Sequence, residues 1–220
     1  MPSNPSEIPA EEEEFGMRRG EQTREKILDI AEDAVLAKGF GATSIEEVIA
    51  AVGITKSGFF YHFRDKNELA RAMLVRFLKR DDAVLDDLFA VGEGEDPLAA
   101  FLKGLDRFAA IMGEMEQGHP GCLVATYCYN EVLFDREVRE LNRLGVLAWR
   151  ERFRRIFDAI DARYPANDVV DIDALADMVS SVTEGGIVMA KALKEPGVLA
   201  EQIRLLRSYV KLLYTPSLAA

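Results

Sequence analysis

Apolar residues fall at helical intervals through most of the chain. Ile27, Ile30, Ala31, Ala34 and Val35 lie on one face of a helix that Thr23 is expected to cap and that Gly39 ends as a left-handed stop. Phe40 then turns into the core. Ile45, Val48, Ile49 and Val52 make a shorter face, opened by a capping box of Ser44 with Glu47 and closed by Gly53. Only Gly53 and Ile54 separate Val52 from Thr55, the cap of a third helix from Lys56 to about Phe63. That spacing forces a sharp bend with Gly53 at positive φ, which defines a helix-turn-helix. Asp65 and Glu68 form a second capping box and open a long helix from Lys66 to about Phe89.

Beyond a Gly- and acid-rich loop from Val91 to Pro97, the spacing predicts helices over Pro97 to Glu116, Cys122 to Leu133, Arg136 to Arg163, Ile172 to Lys194 and Val198 to Tyr214. No period-two strand pattern occurs. The fold class is therefore all-α: an acidic tail over residues 1–17, expected to be disordered, a three-helix unit over 18–65, and a larger helical region over 66–220.

Composition narrows the class. With 49% hydrophobic and 30% charged residues, the chain has enough apolar material for a core. The absence of a long uncharged apolar run or an apolar leader predicts no membrane association and a cytoplasmic location. Cys122 and Cys128 are six apart, and His62 and His119 lack metal-ligand spacing, so no disulfide scaffold, metal or cofactor is expected. The net charge of −11 argues at first against nucleic acid. The charge is uneven, however. Residues 17–64 balance seven basic side chains (Arg18, Arg19, Arg24, Lys26, Lys38, Lys56 and Arg64) against seven acidic ones, and the acidity lies elsewhere.

The third helix carries the sharpest chemistry. Its start, Thr55, Lys56, Ser57 and Gly58, is small, polar and cationic, as entry into a major groove requires. Phe59 and Phe63, four apart, are expected to anchor the opposite side. Phe60, Tyr61 and His62 are then left toward the edge, where Tyr61 has a hydroxyl for a phosphate and Phe60 packs on sugar or a thymine methyl. Lys66 adds charge just behind, where helix-start N–H groups already favour an anion.

From about Thr23 to Leu74 the sequence resembles the TetR family of one-component transcriptional repressors. The motifs that carry the resemblance are Thr43-Ser44-Ile45-Glu46-Glu47-Val48-Ile49, Gly53 through Phe63, and Lys66-Asn67-Glu68-Leu69. The resemblance implies a DNA-binding domain, a linker helix, and a helical ligand-binding domain that dimerises through its last two helices, here Ile172 to Tyr214. It implies that Thr43 and Ser44 touch phosphate, Lys56 and Ser57 face bases, Phe60, Tyr61 and His62 line backbone and groove, and Lys66 holds a phosphate. Two positions depart from the family pattern. Glu46 stands where Arg or another polar reader is common, and a carboxylate there accepts from cytosine N4 or points away. Phe60 stands where Tyr is common, which deletes one phosphate hydrogen bond. The implied partners are double-stranded operator DNA, a second copy of the chain and a small inducer.

For the inducer, the helices between Pro97 and Arg163 offer Phe101, Leu105, Phe108, Met112, Met115, Tyr127, Phe134, Trp149 and Phe153, joined by Met178 farther on. Most of these belong in a core. The polar candidates within the stripe are Tyr127, Asn130, Glu131 and the indole of Trp149, and the expected ligand is apolar or aromatic. Cys122 reads first as a buried structural cysteine; its place at a helix start, where the dipole lowers a thiol pKa, leaves electrophile sensing as the alternative. Gly185 and Gly186 in mid-helix call for a close backbone approach, assigned to the two-fold interface. Asp81-Asp82 and Asp86-Asp87 read as a solvated helix face. No nucleophile elbow or acid–base pair marks an enzyme. The competing reading is a helical small-molecule binding protein that has lost DNA affinity, which the net charge favours.

Overall fold

The computed structural model describes the backbone of residues 10–215 and side chains from Arg19 onward. Among these residues the elements are α1 (Ala10–Lys38), α2 (Ile45–Val52), α3 (Lys56–His62), α4 (Lys66–Phe89), α5 (Pro97–Gly113), α6 (Leu123–Tyr129), a 3-10 turn (Glu131–Leu133), α7 (Arg136–Asp161), α8 (Ile172–Leu193) and α9 (Val198–Tyr214), with no strand. No helix among them is long and apolar enough to cross a membrane.

The chain divides into two compact units, one up to Met73 and one from Leu74 on. In the first, Ile27, Ala31 and Val35 of α1, Val48 and Val52 of α2, and Phe59 of α3 are buried as their spacing requires. The division falls inside α4 rather than at 65/66. Leu69 and Met73, on the first turns of α4, pack with Val35, Phe40 and Val48, so those turns belong to the first core.

Three expectations about where helices start and end change. Of the tail assigned to 1–17, residues 1–9 lie outside the described residues, and from Ala10 the chain is helical. Glu-rich sequence has good helix propensity, and α1 continues through Thr23, whose hydroxyl donates to the Arg19 carbonyl at 3.0 Å instead of capping a helix start. The helix expected over Cys122 to Leu133 is broken at Asn130. There the Asn130 side chain donates to the Thr126 carbonyl at 2.9 Å, and the backbone leaves helical geometry (φ −120°, ψ 26°).

In the second unit, α5, α7, α8 and α9 enclose a core that includes Phe101, Phe157, Val179 and Ile203. Gly104 lets α5 cross α4, since a Cβ there would lie 2.6 Å from the Leu88 carbonyl oxygen. The two mid-helix glycines of α8 separate in role. Gly186 packs within the chain, its virtual Cβ 2.8 Å from Leu199 Cδ1, which replaces the intermolecular approach expected for it, whereas Gly185 faces open space. The acidic pairs of α4 are also not a plain solvated face. Arg152 of α7 pairs with both Asp82 and Asp86, and Arg107 of α5 pairs with Asp87 at 2.5 Å.

Candidate nucleic-acid interface

The turn between α2 and α3 is set by local chemistry. Ser44 Oγ accepts the Glu47 N–H at 3.1 Å and starts α2. Gly53 ends it in the left-handed region (φ 79°, ψ 36°), with its N–H on the Ile49 carbonyl at 3.0 Å. Two residues later Thr55 Oγ1 accepts the Gly58 N–H at 3.1 Å and starts α3. The same Thr55 hydroxyl lies 3.0 Å from Ser57 Oγ, and a Cβ at Gly58 would come within 3.3 Å of it, so the first turn of α3 stays small and fixed.

Burial sorts the aromatic run of α3. Phe59 and Phe63 are 0% and 1% exposed with ring centroids 5.8 Å apart, anchors worth roughly 1.5–3 kcal/mol each. Phe60 is 42% and Tyr61 82% exposed. Lys56 and Ser57 are exposed on the first turn, which contains no acid, and Lys56 Nζ stands 6.0 Å from the Phe60 ring. His62 is half-buried, edge-on to Tyr61 at 4.9 Å. Burial, aided by the nearby Arg24 charge, lowers its pKa and favours the neutral imidazole. Ser44 and Glu46 are exposed at the start of α2. The neighbouring Glu47 is held by Lys38 and lies below the usual carboxylate range, chiefly through that hydrogen bond.

Two expected phosphate contacts have structural duties instead. Thr43 is 2% exposed and its hydroxyl donates to the Gly39 carbonyl at 3.0 Å, which ties the end of α1 to the start of α2. Lys66 Nζ donates to the Phe40 carbonyl at 2.7 Å and sits 4.3 Å over the Phe40 ring, its pKa lowered by burial. Lys26, one of the basic residues of the first unit, also has a structural partner. It donates to the Val52 carbonyl at 2.9 Å and so secures the end of α2. Arg24, 5.1 Å over the Phe63 ring, braces the end of α3. Neither partner is visible from spacing along one helix.

The inducer candidates do not converge. Phe101, Leu105, Met112 and Phe153 are core, with Phe101 and Phe153 edge-to-face to one another at 6.4 Å, and Phe108, Trp149, Met178 and Cys122 pack half-buried against that core. The Trp149 indole is committed to Asp81 at 2.6 Å. Cys122 follows the burial reading rather than the sensing alternative. Burial pushes its thiol up to about 12, with the Glu184 charge acting in the same direction, which disfavours the thiolate. Asn130 serves the helix break, while Tyr127 and Glu131 line a groove with the first half of α7.

An N-terminal helix-turn-helix unit joined through a long helix to a separate all-helical unit is a layout of regulatory proteins. Residues 27–73 match the family described as "Bacterial regulatory proteins, tetR family". The match takes in most of α1, all of α2 and α3, and the first turns of α4. It is 33% identical over 101 residues to the HTH-type transcriptional regulator TcmR of Streptomyces glaucescens, a stretch covering 46% of this chain and 42% of TcmR. It thus spans less than half the length of that relative. It is 26% identical over 188 residues to the HTH-type transcriptional repressor Rv1474c of Mycobacterium tuberculosis, covering 86% of this chain and 92% of that one. The fold is similar to that of a TetR family transcriptional regulator from Agrobacterium tumefaciens, with a TM-score of 0.75, 15% identity, and coverage of 89% and 100%.

Proposed function

We propose that the protein is a transcriptional repressor that binds operator DNA as a homodimer and is released by a small ligand. The observation that carries the reading is the first turn of α3. Thr55 rigidifies it, Phe59 and Phe63 anchor it from below, and Lys56, Ser57 and Tyr61 stand outside. Lys56 and Ser57 face base edges, Tyr61 donates to a phosphate, and Ser44 approaches the backbone from the start of α2. Phe60 packs on sugar, and His62 flanks Tyr61.

An apolar face supports the dimer. Gly185, Val188, Met189 and Leu193 on α8 and Leu205, Tyr209 and Leu212 on α9 are exposed at helical spacing, a pattern that a second copy would cover through Ile172 to Tyr214. A two-fold pair presents two α3 helices to half-sites about 34–36 Å apart. Ligand binding then favours a conformer in which α4 carries the reading units away from that spacing.

The test is operator selection from random duplexes, followed by affinity measured at graded salt. A repressor loses affinity steeply with salt, because phosphate contacts release counterions. A small-molecule binding protein without DNA function, the reading favoured by the −11 charge, binds no duplex even at low salt.

A further inference from the structure

We propose that the groove between α6, the Glu131–Leu133 turn and α7 is a binding site for an organic anion with an aromatic body and a hydroxyl or amino donor. The inference rests on the ligand-responsive reading only for its regulatory consequence. The groove encloses about 610 Å³, within the ~300–1,000 Å³ of small-molecule sites.

Three features define its chemistry. The wall is aromatic: Tyr127 and Phe134 stack at 4.2 Å between centroids with 23° between planes, and Val146 and Leu147 of α7 extend the apolar surface. The rim is cationic. Arg136, Arg139, Arg143 and Arg150 stand three, four and seven residues apart along α7 and outnumber the two acids on the lining, Glu131 and Glu140, in a chain whose net charge is −11. Arg143 is oriented by Glu140 (2.8 and 3.0 Å), Arg150 by Asp177 (2.6 and 2.8 Å), and Arg139 by the Phe134 carbonyl at 2.9 Å.

The third feature is the unmet acceptor. Asn142 is only 7% exposed and lines the groove. Its Nδ2 is committed to the Val124 carbonyl at 3.2 Å and Cys128 Sγ at 3.3 Å, whereas its buried Oδ1 has no hydrogen-bond partner. A buried oxygen of this kind calls for a donor. A ligand that places an anion on the arginine rim and an O–H or N–H on Asn142 Oδ1, with a ring against Tyr127 and Phe134, answers all three features.

The test is calorimetry on the full chain with benzoate, the three hydroxybenzoate isomers and their methyl esters. The expected result is that at least one hydroxybenzoate binds about tenfold tighter than benzoate, and that its ester loses at least as much. Asn142→Leu erases the preference for the hydroxyl while benzoate still binds. The exposed Arg139→Gln weakens every acid and leaves the esters unchanged, and this variant carries the test if Asn142→Leu fails to fold. Equal affinity for benzoate and all three hydroxybenzoates, or no binding of any probe at millimolar concentration, overturns the site and leaves a groove whose acceptor is met by water. The two readings fail separately. Salt-dependent DNA binding without hydroxybenzoate binding sinks the site alone, whereas hydroxybenzoate binding that leaves operator affinity unchanged keeps the site and sinks the ligand-responsive reading.

Discussion

Trp149 of α7 donates its indole N–H to the Asp81 carboxylate of α4 at 2.6 Å, a bond between residues 68 positions apart. Asp81 is half-buried, and burial raises its pKa against the opposing pull of Trp149 and Arg152. Under the proposed ligand-responsive function, the bond ties the helix lining the groove to the helix that continues from the first unit.

The raised pKa of Asp81 fixes the sign of a pH effect. A carboxyl whose folded pKa exceeds the unfolded value of about 3.9 stabilises the fold fully below that value, and the contribution is lost as pH rises through the folded pKa. Asp81→Asn keeps an acceptor for the indole and has no charge to bury. Its melting temperature relative to wild type is expected to rise between pH 4 and pH 7, as followed by circular dichroism. A constant difference across that range means that burial does not control this carboxyl. Trp149→Phe, which strips the carboxylate of its donor, is expected to cost about 1–3 kcal/mol at pH 7 and less in the Asp81→Asn background.

Thr55→Ala removes the oxygen that accepts the Gly58 N–H, and loss of such a cap destabilises by about 1 kcal/mol. The same change frees the turn that presents Lys56 and Ser57, so duplex affinity should fall as well, and Thr55→Ser should restore both. A urea titration and an anisotropy titration on the three proteins check this. Full stability in Thr55→Ala would show that another group starts α3.

What was legible in the sequence was local. Ser44, Gly53, Thr55 and Asp65 announce helix ends through bonds to residues three or four positions away, and the anchors Phe59 and Phe63 follow from a four-residue spacing. What was not legible depends on residues remote in the chain. Lys66 reaches the Phe40 carbonyl across 26 positions, Gly186 meets Leu199 of the next helix, and the surroundings that suppress the Cys122 thiolate include Glu184 of α8. Spacing also gave no sign that Asn142 would be buried with an open acceptor, because an asparagine on a helix reads as a surface residue until its neighbours are known.

Lys56 and Lys66 carry the same charge ten residues apart and should respond differently. Lys56 is exposed, so Lys56→Ala is expected to leave the unfolding midpoint unchanged, weaken DNA binding and reduce the salt slope by about 1. Lys66 holds the Phe40 carbonyl, so Lys66→Met is expected to lose about 1 kcal/mol of stability and to change the salt slope less than Lys56→Ala does. Equal salt slopes for the two variants would return Lys66 to the phosphate role that the family resemblance implies.

Gly185 and Gly186 give adjacent and opposite tests of α8. A Cβ at Gly186 would lie 2.8 Å from Leu199 Cδ1 and 3.2 Å from its Cα, so Gly186→Ala overpacks the α8–α9 contact and is expected to cost about 1–3 kcal/mol. A Cβ at Gly185 meets nothing within 4 Å, and replacing a mid-helix glycine by alanine there should stabilise the isolated chain by roughly 0.5–1 kcal/mol. Association separates the two further. If the face that holds Gly185, Val188 and Leu212 meets a second copy, Val188→Glu with Leu212→Glu shifts sedimentation from dimer to monomer and abolishes tight binding to a two-half-site operator, because one reading unit cannot hold both half-sites. A double variant that still sediments as a dimer would place the two-fold axis elsewhere, and the exposed apolar residues of α8 and α9 would then need a different cover.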